Sequence, residues 1–255
     1  MRMATFNILH GRSVHDGAVE LGRLAESVRL LDADVLALQE VDLEQPRSAL
    51  ADLTALAADA MGAVTHRFVA AISGTPGATW MAATGREQPG TAAYGIALLS
   101  RFPVRSWQVV RLPRIPMTFP MYVREPNKVL MIHEEPRAAM VAQLDTPVGP
   151  MTVANTHLSF VPAWNRMQLR RLARDLRGFP GPRVLMGDLN MTPPRARGWV
   201  GMRPLCAGLT FPTHDPTRQL DHILTDDLTL RVDDCRAVEL PISDHRALVV
   251  DVSRP

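Results

Sequence analysis

Arg183–Val184–Leu185–Met186–Gly187–Asp188–Leu189–Asn190 is the stretch on which the fold of this chain turns. Three apolar residues in a row, led by a β-branched one, predict a short strand buried on both faces. Gly187 then permits a tight turn, and Asp188 and Asn190 follow on alternate positions. In extended backbone these two share one side, with Leu189 on the other. Met191–Thr192–Pro193–Pro194 ends the strand, because proline cannot feed a sheet ladder. A carboxylate and a carboxamide are thus expected side by side at the end of a core strand.

Outward from this stretch, strands and single helices alternate. Arg2–Leu9 predicts a first strand, and Leu21, Leu24, Ala25, Val28 and Leu31 mark an amphipathic helix over Ala18–Leu31. Val35–Val41 is a buried strand ending in a carboxylate, Glu40, and an alanine-rich helix is expected from about Ala49 to Met61. His66–Ala71 is a further strand, Ser73–Gly90 an irregular loop, and Tyr94–Arg101 a strand stopped by Phe102–Pro103. Val104–Leu112 is expected to be its hairpin partner. Arg137–Asp145 and Pro150–His157 form a hairpin around Thr146–Gly149. Ala163–Leu176 is a helix with Met167, Leu169, Leu172 and Leu176 inward and its arginines outward. Gln219–Leu224, Leu228–Val238 and Ala247–Val252 complete the strands. Pro113 to Pro136 holds five prolines and the apolar residues Met117, Phe119, Met121, Tyr122 and Val123. It is either a substrate-contacting flap or a packing insertion. Strands outnumber helices, which suits a two-sheet sandwich with helices on its outer faces.

The 255 residues suffice for one large core, so a single domain over 1–255 is expected. An apolar fraction of 46% and a charged fraction of 21% are those of a soluble globular protein. The net charge of +2 does not indicate a nucleic-acid surface, although a local arginine patch remains open. Lys128 is the only lysine. Cys206 and Cys235 lack the partners a zinc site needs, and a reduced pair in a cytoplasmic protein is the expectation. No apolar run has the length of a membrane span.

Polar groups recur at the expected strand ends: Asn7, Glu40, His157, Asp188 with Asn190, Asp221–His222 and Asp244–His245. Strands of one sandwich present such ends on a common rim. Carboxylates and carboxamides without cysteine suit a hard divalent cation such as Mg²⁺, with Mn²⁺ as substitute. Histidine beside carboxylate suits proton transfer near neutral pH. Together these equip a site for displacement at phosphorus.

Six segments carry a resemblance that spans nearly the whole chain. Phe6–Asn7–Ile8, Leu38–Gln39–Glu40–Val41, Asn155–Thr156–His157–Leu158, Gly187–Asp188–Leu189–Asn190, Asp221–His222–Ile223 and Ser243–Asp244–His245 resemble, in order, the motif series of the endonuclease/exonuclease/phosphatase superfamily. The resemblance implies a four-layered α/β sandwich of two mixed β-sheets packed face to face, with the metal site on one edge. It implies Glu40 as direct ligand of Mg²⁺ with Asn7 beside it, and Asp244 in the metal shell. His245 would be the general base, oriented by Asp221. Asp188 would position the attacking water, Asn190 would contact the phosphate, and His157 would bond a phosphoryl oxygen or assist the leaving group. Arg137 is the candidate basic residue for substrate, and Tyr94 is a lesser candidate for which core packing is the favoured reading.

The residues after Asn190 depart from the pattern of abasic-site exonucleases, which continue with an Asp and a further Asn. Gln39–Glu40–Val41–Asp42 with Arg47–Ser48 instead resembles a group of bacterial metal-dependent hydrolases. Three expectations stand: a Mg²⁺-dependent phosphodiesterase or phosphatase on a small-molecule or lipid-derived phosphoester; a nuclease on DNA or RNA; and a non-catalytic scaffold. The last would predict loss of Glu40, Asp188 or His245, all of which are present.

Overall fold

The structure is a computed structural model that describes residues 1–115, 118–123 and 128–254. The elements in chain order are β1 (Arg2–Asn7), α1 (Leu21–Leu31), β2 (Val35–Leu43), α2 (Leu53–Met61), β3 (Thr65–Gly74), β4 (Trp80–Ala82), β5 (Ala93–Ser100) and β6 (Val104–Leu112). They continue with β7 (Phe119–Val123), β8 (Lys128–Ile132), β9 (Arg137–Thr146), β10 (Gly149–His157), α3 (Pro162–Leu176), β11 (Arg183–Asp188), α4 (Pro193–Val200), β12 (Arg203–Pro204), β13 (Asp221–Thr225), β14 (Arg231–Val238) and β15 (Ala247–Ser253).

Two mixed sheets carry the fold. One has the order β14-β15-β1-β2-β5-β3-β4, the other β12-β13-β11-β10-β9-β6, and β7 with β8 forms a separate ribbon. The parallel pairs are β1 with β2 and β10 with β11, the crossovers being made by α1 and α3. Met3, Val35, Ile96, Met140, Val153, Met186 and Val250 fill the space between the sheets. Leu24, Val28 and Leu31 of α1, with Leu53 and Ala57 of α2, pack on the outer face of the first sheet beside Phe6 and Leu38. Leu169, Leu172 and Leu176 of α3 do the same for the second sheet, against Leu185 and Leu189. The layers are therefore helix, sheet, sheet, helix, as expected. Each such leucine, removed from water, contributes about 1.5–3 kcal/mol.

Strand β11 meets its reading: Val184 and Met186 face the inter-sheet core while Leu185 faces the α3 side. Gly187, however, does not turn the chain. It lies within the strand at φ +138°, and a Cβ there would sit 1.9 Å from the Thr156 carbonyl oxygen. Close packing against β10 is what demands glycine.

Several boundaries differ from expectation. Val104–Leu112 does not pair with β5; it joins β9 in the opposite sheet, because the chain crosses between sheets after Phe102–Pro103. Helix α2 starts only at Leu53, where Asp52 accepts hydrogen bonds from the Thr54 and Ala55 amides, as an N-cap should. Ser73–Gly90 contains the short strand β4, and the strand expected over His66–Ala71 runs from Thr65 to Gly74. Met167 on α3 is exposed; Asn165 and Gln168 take the inward positions. Pro193 and Pro194 end the strand but also start α4, since proline is compatible with a first helical turn. The cysteines correct the expectation of a reduced pair: Cys206 and Cys235 form a disulfide closing a separation of 29 residues. No local spacing announces that pairing, and the cytoplasmic expectation loses the support it drew from free thiols. Among the described residues no helix is long and apolar enough to cross a membrane.

Candidate active site

Three neighbouring strands of the six-stranded sheet end in one row. Pairing sets His157 on β10 opposite Asp188 on β11, and Asp188 opposite Asp221 on β13. Arg137 starts β9, the next strand along. The other sheet supplies Asn7 from the end of β1 and Glu40 from β2. Glu40 is reached by a distortion: the β2–β5 register slips between Gln39 and Val41, leaving Glu40 as the extra residue at φ +57°. On the far side of β5 the register slips again between Ala70 and Ile72, so Gly95 lies between two bulges. A Cβ on Gly95 would sit 2.1 Å from the Val69 carbonyl oxygen.

His245 comes from the turn before β15. Ser243, at φ +76°, anchors that turn to β1: its hydroxyl donates to the Asn7 carbonyl (2.6 Å) and accepts from the His245 amide (3.0 Å). The side chains then form one connected group. Asn7 Nδ2 donates to Glu40 Oε1 (3.0 Å) and Asp188 Oδ2 (3.1 Å). His245 Nδ1 bonds Asp221 Oδ2 at 2.8 Å, and its Nε2 lies 3.8 Å from Asp188 Oδ2. His157 Nε2 lies 3.5 Å from the same oxygen. Arg137 Nη1 is 3.2 Å from His157 Nδ1, and because a guanidinium only donates, the neutral ring carries its proton on Nε2. Asn190 is at φ +50°, not in extended backbone, so the alternating-face reading of Asp188 and Asn190 is corrected. Its amide N–H donates to Asp188 Oδ1 (2.9 Å) and its Nδ2 to the Leu158 carbonyl (3.0 Å), which still sets it beside His157.

These groups border a pocket of about 360 Å³ lined by Glu40, Tyr94, Arg137, His157, Asp188, Asn190 and His245. Burial and the Asp221 charge lift Asp188 to about 7. Burial alone would lower His245, yet the charge and hydrogen bond of Asp221, with Asp188 and Asp244, raise it to about 10. Burial, with Arg137 and His245, holds His157 well below its usual value, so it stays neutral. Burial also raises Glu40, opposed by the Asn7 bond and reinforced by Asp244. Asp244 thus acts on the site through its charge.

The donor set fits a hard cation. Glu40, Asp188, Asp221 and Asp244 outnumber the cationic groups Arg137 and protonated His245, and Asp221 Oδ1 is buried without a hydrogen-bond partner. Asp188, Asp221 and His245 also offer donor atoms within 4.8 Å of one another. The short His245–Asp221 hydrogen bond uses His245 Nδ1 and Asp221 Oδ2 and leaves Asp221 Oδ1 open. Asn7 Oδ1 accepts from the Leu9 amide, while Glu40 and Asp188 supply further carboxylate oxygens.

The structure brings together Asn7, Glu40, Arg137, His157, Asp188, Asn190, Asp221 and His245, whereas Asp244 does not line the pocket. Tyr94 is buried and also lines the pocket. The structure adds His133, Glu134 and Glu135 from the end of the proline-rich segment. Met117 of that segment lies outside the described residues. Asn155 supports the site from behind: fully buried, it donates to the Leu38 and Ala97 carbonyls (2.9 and 2.7 Å) and accepts from Gln39 (2.8 Å), joining the sheets. His222 points away and bonds the Met191 carbonyl.

The profile of the Endonuclease/Exonuclease/phosphatase family matches residues 4–245. The chain belongs to this family. Among curated proteins no significant match exists. Solved structures share the fold. An endonuclease/exonuclease/phosphatase from Beutenbergia cavernae has 22% identity and TM-score 0.70, covering 100% of this chain and 71% of its own. The mannosyl-6-phosphatase Bt3783 of Bacteroides thetaiotaomicron has 16% identity and TM-score 0.64, covering 99% of each chain. The beta toxin of Staphylococcus aureus, with bound magnesium ions, has 13% identity and TM-score 0.62, covering 98% of each. Members of the family are hydrolases of phosphoesters, and they use divalent metals.

Proposed function

We propose that this protein is a metal-dependent hydrolase of a small-molecule or lipid-derived phosphoester. The observation that carries the reading is the connected group Glu40–Asn7–Asp188–His157/His245–Asp221, drawn from both sheets onto one pocket at separations of 2.8 to 3.8 Å. Glu40 and Asn7, with Asp244 in the outer shell, would hold Mg²⁺ or Mn²⁺. When bound, the ion supplies a Lewis acid for the phosphoryl oxygen and lowers the pKa of a bound water. In its neutral form His245 would take the proton of the attacking water at Nε2, while Asp221 holds the ring through Nδ1. Asp188 orients that water. His157, neutral with its Nε2–H on the pocket side, donates to a phosphoryl oxygen or the leaving group. Arg137 and Asn190 position the phosphate.

The test is a screen of purified protein with Mg²⁺ or Mn²⁺ against bis-p-nitrophenyl phosphate, sugar and inositol phosphates, sphingomyelin, plasmid DNA and RNA. Hydrolysis of a small or lipid phosphoester that stops in excess EDTA and returns with Mg²⁺ or Mn²⁺ is the expected result. Turnover in metal-free buffer would contradict the mechanism.

One observation favours the nuclease reading as the alternative. Beside the pocket, Arg166 and Arg170 stack on Trp199 at 4.5 and 5.2 Å, and Arg166, Arg195 and Trp199 line a surface groove. Arginines beside an aromatic ring suit a single-stranded polyanion despite the small net charge. Preferential cleavage of an oligonucleotide, weakened by Arg166→Glu with Arg195→Glu, would select it.

A further inference from the structure

A second group of metal-ligating side chains lies on the surface, outside the pocket. His15, between β1 and α1, His214, ahead of β13, and Glu239, after β14, converge from three distant parts of the sequence. One donor atom of each lies within 4.8 Å of the others. His214 Nδ1 is 3.0 Å from Glu239 Oε1, and the His15 and His214 rings are 4.5 Å apart. Two ligands bonded to one tetrahedral zinc ion are separated by about 3.3 Å, given metal–ligand bonds of about 2.0–2.1 Å. The His214–Glu239 contact is a hydrogen bond with nearly the spacing of a ligand edge, and a metal ion entering there takes the place of its proton. All three side chains are exposed, so water has access to complete the shell.

We propose that His15, His214 and Glu239 bind a first-row transition metal ion of the zinc type. Two imidazoles and one carboxylate form a borderline donor set, in contrast with the oxygen-rich catalytic pocket, so the two sites select different metals. The position gives the ion a task. The segment that carries His214 also carries Phe211, whose ring lies 4.9 Å from that of His245. Arg246 ties the same parts together: its Nε donates to the Thr213 carbonyl (2.7 Å) and its Nη2 to Glu239 Oε2 (2.9 Å). A bound ion fixes the backing of His245 to the segment before α1 and to the end of β14. This site does not depend on the hydrolase reading.

The experiment titrates ZnCl₂ into metal-free full-length protein by calorimetry, in a Glu40→Ala/Asp188→Ala background that removes pocket donors. Cobalt absorption serves as a second readout. One zinc per chain and a d–d band of low-coordinate cobalt are expected. His15→Ala, His214→Ala and Glu239→Gln should each weaken binding by about tenfold or more. Unchanged binding in all three variants, or no zinc binding in the parent, would overturn the proposal. If the double background fails to fold, the wild-type chain serves instead: His15→Ala must then bind one zinc fewer, and equal stoichiometry refutes the site.

Discussion

The two sheets bring their groups to the pocket by different means. The six-stranded sheet does it by register alone: His157, Asp188 and Asp221 are paired across three adjacent strands, and regular backbone sets them in a row. The seven-stranded sheet does it by distortion. Glu40 is an extra residue at positive φ, Ser243 holds the His245 turn at positive φ, and Gly95 sits between two bulges. Non-glycine residues at positive φ are disfavoured and persist where the surroundings over-determine them. The comparison teaches that His157, Asp188 and Asp221 are placed by regular strand pairing, whereas Glu40 and His245 are delivered by backbone at or beside positive φ.

The largest effect tests whether both halves serve one reaction. Asp188→Ala from the regular half and His245→Ala from the distorted half should each lower kcat/KM by at least about 10³-fold, at the upper end of acid–base contributions. Far-UV circular dichroism should remain that of the wild type. A variant that loses activity in only one half would separate them.

Next in size are the glycines that let each half form. Gly187→Ala places Cβ 1.9 Å from the Thr156 carbonyl oxygen at φ +138°, and Gly95→Ala places it 2.1 Å from that of Val69. Backbone atoms cannot yield as a flexible side chain does. Each substitution should cost about 3 kcal/mol or more by urea denaturation. Tolerance at Gly95 alone would show that the bulged half relaxes where the regular half does not.

A smaller effect concerns the support under Glu40. Asp42, two residues on and fully buried, is held by Arg47 through bonds of 2.7 and 2.8 Å. Arg47→Ala leaves that carboxylate buried with only Ser48 as partner. Removing one partner of a buried pair costs about 3–5 kcal/mol, but Arg47 is one-third exposed and water can enter, so about 2 kcal/mol is expected. Thermal denaturation measures it, and an unchanged midpoint would show that the ion pair does not hold the bulged strand.

How legible the site was in the sequence follows the same division. The row of the six-stranded sheet could be read because Asp188, Asp221 and His157 stand at the ends of apolar runs whose period fixes which way they face. The bulge at Glu40 could not, since it arises from pairing with β5 and leaves no mark on Leu38–Gln39–Glu40–Val41. Asn155 was read as part of a motif, but its bonds to β2 and β5 depend on how the sheets face each other. The change of sheet after Phe102–Pro103 and the Cys206–Cys235 bond are likewise long-range, and the periodicity of local sequence carries neither. The apolar strand around Tyr94 favours packing in the sequence; the pocket edge next to it appears only in three dimensions.

The smallest expected effect is a pH dependence on the distorted side. His10 lies three residues after Asn7 in a tight turn at φ +48°, and burial together with the charge of Arg47 lowers its pKa to about 4, against an ordinary value of 6.5. Arg12 adds to the depression and Asp42 opposes it. Between pH 6.5 and about 4 the unfolded chain therefore binds a proton at His10 that the folded chain refuses. Stability contributed at this position is fully present above 6.5 and falls as the pH drops toward 4. His10→Asn removes the titration while keeping a residue that accepts positive φ. Urea midpoints measured at pH 4.5, 5.5, 6.5 and 7.5 should fall less steeply for the variant than for the wild type on the acid side and run parallel above 6.5. Identical slopes would show that His10 is protonated in the folded chain, so that Arg47 does not exclude a second cation beside the bulged strand.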